Sequence, residues 1–358
     1  GDYNQPAAAN YPTVATAYSG AIDLTSNTST ETRKFVVPMQ GGFDGFKPHI
    51  QRCIADKITS TNTQGFDMTS GNWGDDAFRR ALDIISNADE YDINMLVLPG
   101  VINEKHSGVV ARAIEVCEDR GDAFYPNDGF AIDTSVASAI VESNLLTTDS
   151  NYTATWFPWV KIMNKTKNKP MWVPPSVVLP GVIAYSDKVS QPWFAPAGLN
   201  RGGITEALEA YTRLTHAERD DLYENRINPI ATFPGMGVVV WGQKTLQSKA
   251  SALDRINVRR LLITLKKFVS STSKYLVFEQ GTSATMNQFL NTVNPYMESV
   301  QQRQGLYAFK VVMDSSNNKP DDLDRNILRG AIYLKPTKTS EFIIIDFNVM
   351  PGSATFSG

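Results

Sequence analysis

The feature that most constrains this chain is a regular alternation of short apolar runs with amphipathic stretches, from residue 33 to residue 162. Apolar positions at helical spacing predict helices over residues 75–86, 107–120 and 133–146. Short apolar runs predict strands over residues 34–38, 93–98, 122–125 and 154–162. Strands that alternate with helices of about 10 to 15 residues are typical of βαβ units. We therefore predict an α/β domain over residues 33–190, built on a largely parallel sheet.

A passage rich in proline and glycine, residues 172–203, follows this region. Such composition is typical of a domain boundary. Residues 1–32 are rich in Ala, Ser, Thr and Asn, which predicts an irregular arm or the remnant of an upstream or inserted domain. The predicted division is this arm, the α/β domain, and a C-terminal domain over residues 191–358.

The C-terminal domain is predicted to be α+β, with two amphipathic helices on a small, mostly antiparallel sheet. A capping box at Thr215 and Glu218 predicts a helix start and gives His216 a place at a helix end. The two amphipathic helices are predicted over 257–269 and 286–300, the second kinked or interrupted near Asn294 because of Pro295. Strands are predicted over residues 237–241, 306–313, 331–334 and 341–349.

Composition excludes several classes of protein. The 358 residues include 34 Lys and Arg against 37 Asp and Glu, so there is no cationic excess for nucleic acid. No apolar run reaches the roughly 18 residues of a membrane span. Cys53 and Cys117 are too few for a disulfide framework and predict reduced core thiols, as in a protein made in a cytoplasm. Because residue 1 is Gly rather than Met, we expect that the chain was trimmed, processed or expressed as part of something longer.

The sequence predicts no catalytic site, no cofactor and no metal. Its three histidines, His49, His106 and His216, stand apart from any nucleophile elbow. Neither cysteine has the closely spaced partners of a zinc site. The glycines of residues 41–45 match no dinucleotide or phosphate loop, and residues 314–318 favour a hairpin turn over a calcium loop.

Three carboxylates leave an enzyme alternative open. Asp122, Asp128 and Asp133 would supply the acid and base of a glycan hydrolase if they met in one cleft. Spacing alone does not show that they do, and helix caps or surface positions explain them equally. A deep pocket joining all three would favour the hydrolase.

Two segments are candidates for contacts with other chains. The predicted helix 257–269 carries a basic face of Arg259, Arg260, Lys266 and Lys267, which is either a solvated surface or a site for an acidic partner. The run from residue 341 to 349 is β-rich and nearly uncharged, and it is either an interior strand or an edge strand that pairs with another chain. Its apolar residues are Phe342, Ile343, Ile344, Ile345 and Phe347.

Several segments, in this order, resemble signature stretches of the contractile bacteriophage tail sheath family. They are GGFDG at 41–45, INMLVLPG at 93–100, DAF at 122–124, FPWV at 157–160, VPPS at 173–176, WFAPAGLNRG at 193–202, INPI at 227–230, WGQKTL at 241–246, INVRRL at 256–261 and EFI at 341–343. The resemblance extends from about residue 35 to the C-terminus.

This resemblance implies a structural subunit that stacks as hexameric rings in a helical tube and contracts to drive the tail tube through the host envelope. It implies partners among other copies of the chain, the tail tube protein, and the baseplate and tail-terminator proteins, with no direct nucleic acid and no membrane insertion. The implied location is the virion, after synthesis in the host cytoplasm. The domain that carries the C-terminal segment would lie near the tube, and terminal arms would add strands to neighbouring subunits. A sheath-terminating or baseplate component remains an alternative.

Overall fold

The computed structural model describes residues 73–145, 148–165, 168–319, 322 and 325–341. Its helices, numbered in chain order, are α1 Trp73–Ile85, α2 Ser107–Arg120, α3 Val136–Leu145, α4 Pro175–Val189, α5 His216–Glu224, α6 Ile256–Lys274 and α7 Ser283–Gln302. Its strands are β1 Tyr125–Asn127, β2 Thr153–Phe157, β3 Val160–Asn164, β4 Lys169–Val173, β5 Ala207–Ala210, β6 Ile227–Phe233, β7 Gly237–Val240, β8 Leu306–Val312 and β9 Ala331–Pro336.

The central sheet is four-stranded and largely parallel, as predicted. Its strand order is β1-β2-β6-β7, with β1, β2 and β6 parallel and β7 antiparallel to β6. Helix α3 is the crossover between β1 and β2, which pair with Tyr125 opposite Thr153. Every residue of β1 and β2 is buried, which is expected for a parallel sheet covered on both faces.

Apolar clusters cover both faces of this sheet. Trp156 of β2 packs in a cluster with Leu179 of α4 and Ile230 of β6. Tyr125 of β1 packs in another cluster with Val110 and Cys117 of α2. Tyr125 is paired with Thr153, and successive side chains of a strand point to opposite faces, so Tyr125 and Trp156 lie on opposite sides of the sheet. The predicted reduced core thiol is present at Cys117, where burial raises the thiol pKa to about 12.

Some elements differ from the sequence prediction. The strand predicted over 154–162 is two strands in different sheets, because Pro158 lacks the N–H that a continuous ladder needs. The run 93–98 forms only an isolated bridge, between Met95 and Phe124. The passage 172–203 was predicted to be a domain boundary, and α4 begins in it at Pro175. Proline is favoured in the first turn of a helix, because an N–H at that position would have no acceptor within the helix.

The predicted helix start at Thr215 is confirmed. The Thr215 hydroxyl accepts a hydrogen bond from the backbone N–H of Glu218 at 3.3 Å, and the Glu218 carboxylate accepts one from the Thr215 N–H at 2.8 Å. This reciprocal pair satisfies two backbone donors that the helix leaves unpaired. His216 is the first residue of α5, as expected.

The last part of the described chain places two helices against a hairpin. Leu261 and Leu265 of α6 pack with Phe289 and Val293 of α7, and the inner face of the β8–β9 hairpin packs into the same cluster. Helix α7 continues through Pro295, so an interruption near Asn294 is not found. Strands β6 and β7 follow residue 191 in the sequence yet share the central sheet with β1 and β2. The division at residue 191 stays a prediction, and the strands predicted at 34–38 and from 342 onward lie outside the described residues.

Candidate assembly interface

The basic face of α6 points into the chain's own structure. Arg259 is buried, and its guanidinium carbon lies 4.0 Å from the centroid of the Tyr152 ring. Burial lowers the pKa of the Arg259 guanidinium, while the neighbouring Tyr152 raises it. Arg260 lies beside α4, where it donates to Asp187 at 2.5 Å and to the Pro192 carbonyl at 3.1 Å.

The two lysines of this face bind the loops around α2. Lys266 Nζ donates to the Arg120 carbonyl at 2.9 Å, at the end of that helix. Lys267 Nζ contacts Asp92 Oδ1 at 2.6 Å and the Ile93 carbonyl at 2.7 Å. The hydrogen bond and the charge of Lys267 lower the pKa of the Asp92 carboxyl.

All four cations therefore have partners within the chain, and α6 is tied to the region around the central sheet. Sequence reasoning missed these contacts because the acceptors lie far from α6 in the chain: Asp187 is 73 residues from Arg260, and Asp92 is 175 residues from Lys267. Whether the same residues also touch a tail tube or another subunit stays a prediction.

The start of the second candidate segment is also anchored. Glu341, the last described residue, accepts from Arg255 Nε at 2.7 Å and from Gln243 Nε2 at 3.1 Å. Arg255 precedes the first turn of α6. Phe342, Ile343, Ile344, Ile345 and Phe347 lie outside the described residues, and their role as a pairing strand stays a prediction.

The β8–β9 hairpin offers strand edges for pairing. Within the described part of the chain, β8 and β9 pair only with each other. Tyr307 and Tyr333 are exposed on it, whereas Phe309 and Ile332 pack against the α6–α7 cluster. A strand edge without a neighbour presents a row of N–H and C=O groups that pairs readily with an extended segment of another chain.

The three carboxylates of the hydrolase alternative do not meet in a described cleft. Asp122 forms an ion pair with Arg120 at 2.8 Å, and Asp133 is exposed. Asp128 is buried and accepts from the N–H of Ser176 at 3.0 Å, from its hydroxyl at 2.6 Å and from the Gly100 N–H at 3.2 Å.

Burial raises the pKa of Asp128 to about 6, and its hydrogen bonds to Ser176 and Gly100 oppose that rise. Its contacts fasten the first turn of α4 to the end of β1, which is a structural role. Two cavities of about 600 and 560 Å³ are present in the described chain, and neither is lined by Asp122, Asp128 or Asp133.

Within the described ranges we find neither a metal site nor a membrane-spanning helix. His106 Nδ1 accepts from the Ile102 N–H at 3.1 Å, and burial lowers the pKa of this imidazole. The described residues contain no group of three or more His, Cys, Asp or Glu placed to hold a metal ion. No described helix is both long enough and apolar enough to cross a bilayer.

Two family models match the chain in consecutive order. Residues 79–246 match the central domain of the phage tail sheath protein, and residues 248–350 match the phage tail sheath C-terminal domain. The chain belongs to the phage tail sheath family. Tail sheath proteins are structural proteins and not enzymes, which sets the hydrolase alternative aside.

Curated tail sheath proteins share substantial identity with this sheath chain. It is 39% identical over 231 residues to the tail sheath protein of Vibrio phage KVP40, and 37% identical over 185 residues to that of Enterobacteria phage T4. These matches cover 63% and 52% of this chain, but 33% and 28% of the relatives. The sheath chain thus spans about a third of the length of the curated relatives that it matches.

Solved structures of contractile injection systems share the fold. A sheath of an extracellular contractile injection system, the PVC sheath complex in its contracted state, matches with a TM-score of 0.64 and 22% identity over 75% of this chain and 74% of that one. A chain of the anti-feeding prophage baseplate matches with the same TM-score and identity over 76% of this chain and 72% of that one. The tail sheath fold therefore accounts for most of the chain.

Proposed function

We propose that this chain is part of a contractile tail sheath subunit, which stacks as hexameric rings around a tail tube and contracts to drive the tube through the host envelope. The observation that carries this proposal is the consecutive match to both sheath domains, on a fold shared with a contracted sheath. The partners we propose are other copies of the subunit, the tail tube protein, and the baseplate and terminator proteins. The proposed location is the virion, after synthesis in the host cytoplasm.

A sheath subunit that transmits force must move as a rigid body. The contacts of α6 with distant parts of the chain meet that requirement. Arg260 binds α4, and Lys266 and Lys267 bind the chain around α2. These charge-assisted bonds join elements that are distant in the sequence, and they are stronger than neutral hydrogen bonds. In the finer organisation that we propose, an α/β domain and an α+β domain are coupled through this helix.

The contact that we propose between subunits is strand addition at the β8–β9 hairpin. An extended segment such as residues 342–347, supplied by a neighbour, would pair with an open edge of this hairpin. Each backbone hydrogen bond of such a joint contributes only about 1 kcal/mol net, so many joints are needed to hold a sheath. Contacts of this head-to-tail kind generate helical assemblies.

Negative-stain electron microscopy tests the proposal. The samples are this chain and the same chain extended upstream toward the length of its relatives, with light scattering alongside. We expect the extended form to build long tubes. Monodisperse monomers from both forms would contradict the proposal.

The same images test a second candidate, a sheath-terminating or baseplate component, since a chain of a baseplate structure shares the fold. Single rings that do not lengthen with concentration would indicate this second role. Tubes whose length grows with concentration would indicate the sheath.

A further inference from the structure

The loop between α6 and α7 carries an exposed apolar tip. Tyr275 is 82% exposed, Val277 is 58% exposed and Phe278 is 100% exposed. Phe278 also has a φ of 72°, in the left-handed region that an aromatic residue rarely adopts. Contiguous exposed apolar surface is typical of sites that bind another molecule.

A groove elsewhere on the chain has aromatic walls. Its volume is about 600 Å³, and Trp193, Phe194, Trp241 and Tyr307 are among the residues that line it. Trp241 is 41% exposed, so its ring is accessible from solvent. The groove lies between residues of the central and C-terminal sheath domains, and the α6–α7 loop of the same chain does not line it.

Two hydrogen-bond acceptors in the floor of this groove have no partner in the described chain. They are Gln243 Oε1 and Asn257 Oδ1, on side chains that are each 3% exposed. The amide nitrogens fix which way these side chains point: Gln243 Nε2 donates to Thr339 and Glu341, and Asn257 Nδ2 donates to the Trp193 carbonyl. Buried acceptors are normally paired, so these oxygens favour a ligand with N–H donors, which reaches them once the side chains that close them off from solvent shift.

The charges at the rim select among such ligands. Arg201, Arg219 and Lys338 line the groove together with Asp220 and Glu341, and Glu341 is already paired with Arg255. The available charge is therefore positive, which disfavours a Lys or Arg side chain as the donor. A backbone segment with neutral N–H groups, apolar side chains and a carboxylate fits better.

We propose that the α6–α7 loop of one copy docks in this groove of a second copy, with Phe278 between the aromatic walls. The loop residues 275–281 contain no proline. The N–H groups of Tyr275, Leu276 and Glu279 already bond within the same chain. The donors to Gln243 and Asn257 in this arrangement are therefore the other N–H groups of the loop, including that of Phe278. The exposed Glu279 follows Phe278 and faces the cationic rim in this arrangement. This inference rests on the proposed sheath function for its choice of a second copy as the partner.

The loop and the groove are different surfaces, so the contact is head-to-tail. Such a contact does not close on itself by two-fold symmetry and adds one copy after another. It would act beside strand addition at the β8–β9 hairpin and would set the orientation of adjacent copies.

Photo-crosslinking tests this contact directly. The photoreactive residue p-benzoylphenylalanine is placed at position 278, isotopically light and heavy preparations of the chain are mixed and irradiated, and mass spectrometry locates the adducts. We expect mixed-label adducts on exposed groove residues such as Trp241 or Tyr307. Adducts confined to one label, or located outside the groove, would overturn the proposal.

Matched variants keep the assay specific. Trp241→Ala in the same background is expected to lower the yield of mixed-label adducts at least fivefold, because it removes one wall of the groove. Tyr185→Ala, at a half-exposed aromatic on α4, should leave the yield unchanged. Equal yields from both variants would also count against the groove.

This readout separates the contact from the sheath function. Groove adducts from a chain whose extended form builds no tubes would support the contact and contradict the sheath. Tubes without groove adducts would support the sheath and contradict the contact.

Discussion

Lys267 Nζ on α6 lies 2.6 Å from Asp92 Oδ1, across 175 residues of sequence. The same ammonium group contacts the Ile93 carbonyl and the Asn94 side chain, so one lysine holds a whole loop. Lys267 is only 24% exposed at its side chain, whereas Asp92 is 88% exposed. The lysine is therefore the more deeply placed partner of this ion pair.

Replacing this lysine tests whether the basic face is internal or external. We expect Lys267→Met to lower the free energy of unfolding by about 1 kcal/mol, since it removes charge-assisted bonds that are partly shielded from water. Urea denaturation measures the change. Lys335→Met, at an exposed lysine of β9, is the matched control and should change stability by less than about 0.5 kcal/mol. Loss of tube assembly with unchanged stability would instead favour an external partner for Lys267.

The stacking of Arg259 on Tyr152 predicts a measurable coupling. We expect a double-mutant cycle of Arg259→Met and Tyr152→Leu to give a coupling free energy of about 0.5 to 2 kcal/mol, because the guanidinium lies over the ring in a buried setting. Arg259→Lys should recover only part of it, since an ammonium lacks the planar surface that stacks. Additive single-mutant effects would show that burial alone accounts for this pair.

Asp128 predicts a pH dependence of stability with a defined sign. Its pKa in the folded chain is about 6, above the ordinary value of 3.8, so the folded state binds this proton more tightly than the unfolded state does. The contribution of Asp128 is therefore fully present below about pH 4 and is lost as the pH rises through about 6. Denaturation at pH values from 4 to 7.5 should show this decline in the wild type, and Asp128→Asn should abolish that component.

The same variant has a cost at every pH. An asparagine cannot accept all three hydrogen bonds from Ser176 and Gly100, so we expect Asp128→Asn to cost about 1 to 3 kcal/mol at neutral pH. Asp133→Asn, at an exposed carboxylate, is the control and should leave both the stability and its pH profile unchanged. A pH profile for Asp128→Asn that parallels the wild type would contradict the assignment.

Local signals in the sequence were enough for several elements. The helix predicted over 107–120 is Ser107–Arg120, and the capping box at Thr215 starts α5, because periodicity and caps depend on residues within a few positions of each other. The alternation of strands and helices likewise predicted a largely parallel sheet. The signature segments in their order were enough to indicate the sheath family.

Tertiary structure alone decided which surfaces are free. Arg259, Arg260, Lys266 and Lys267 form a basic stripe in the sequence, but their partners come from residues far away in the chain. Asp128 looked like a cap or a catalytic acid until folding placed it against Ser176 at the start of α4. Periodicity records which side of an element is apolar. Only the packing of distant segments determines which polar groups find a partner inside the chain and which apolar side chains, like Phe278, stay exposed.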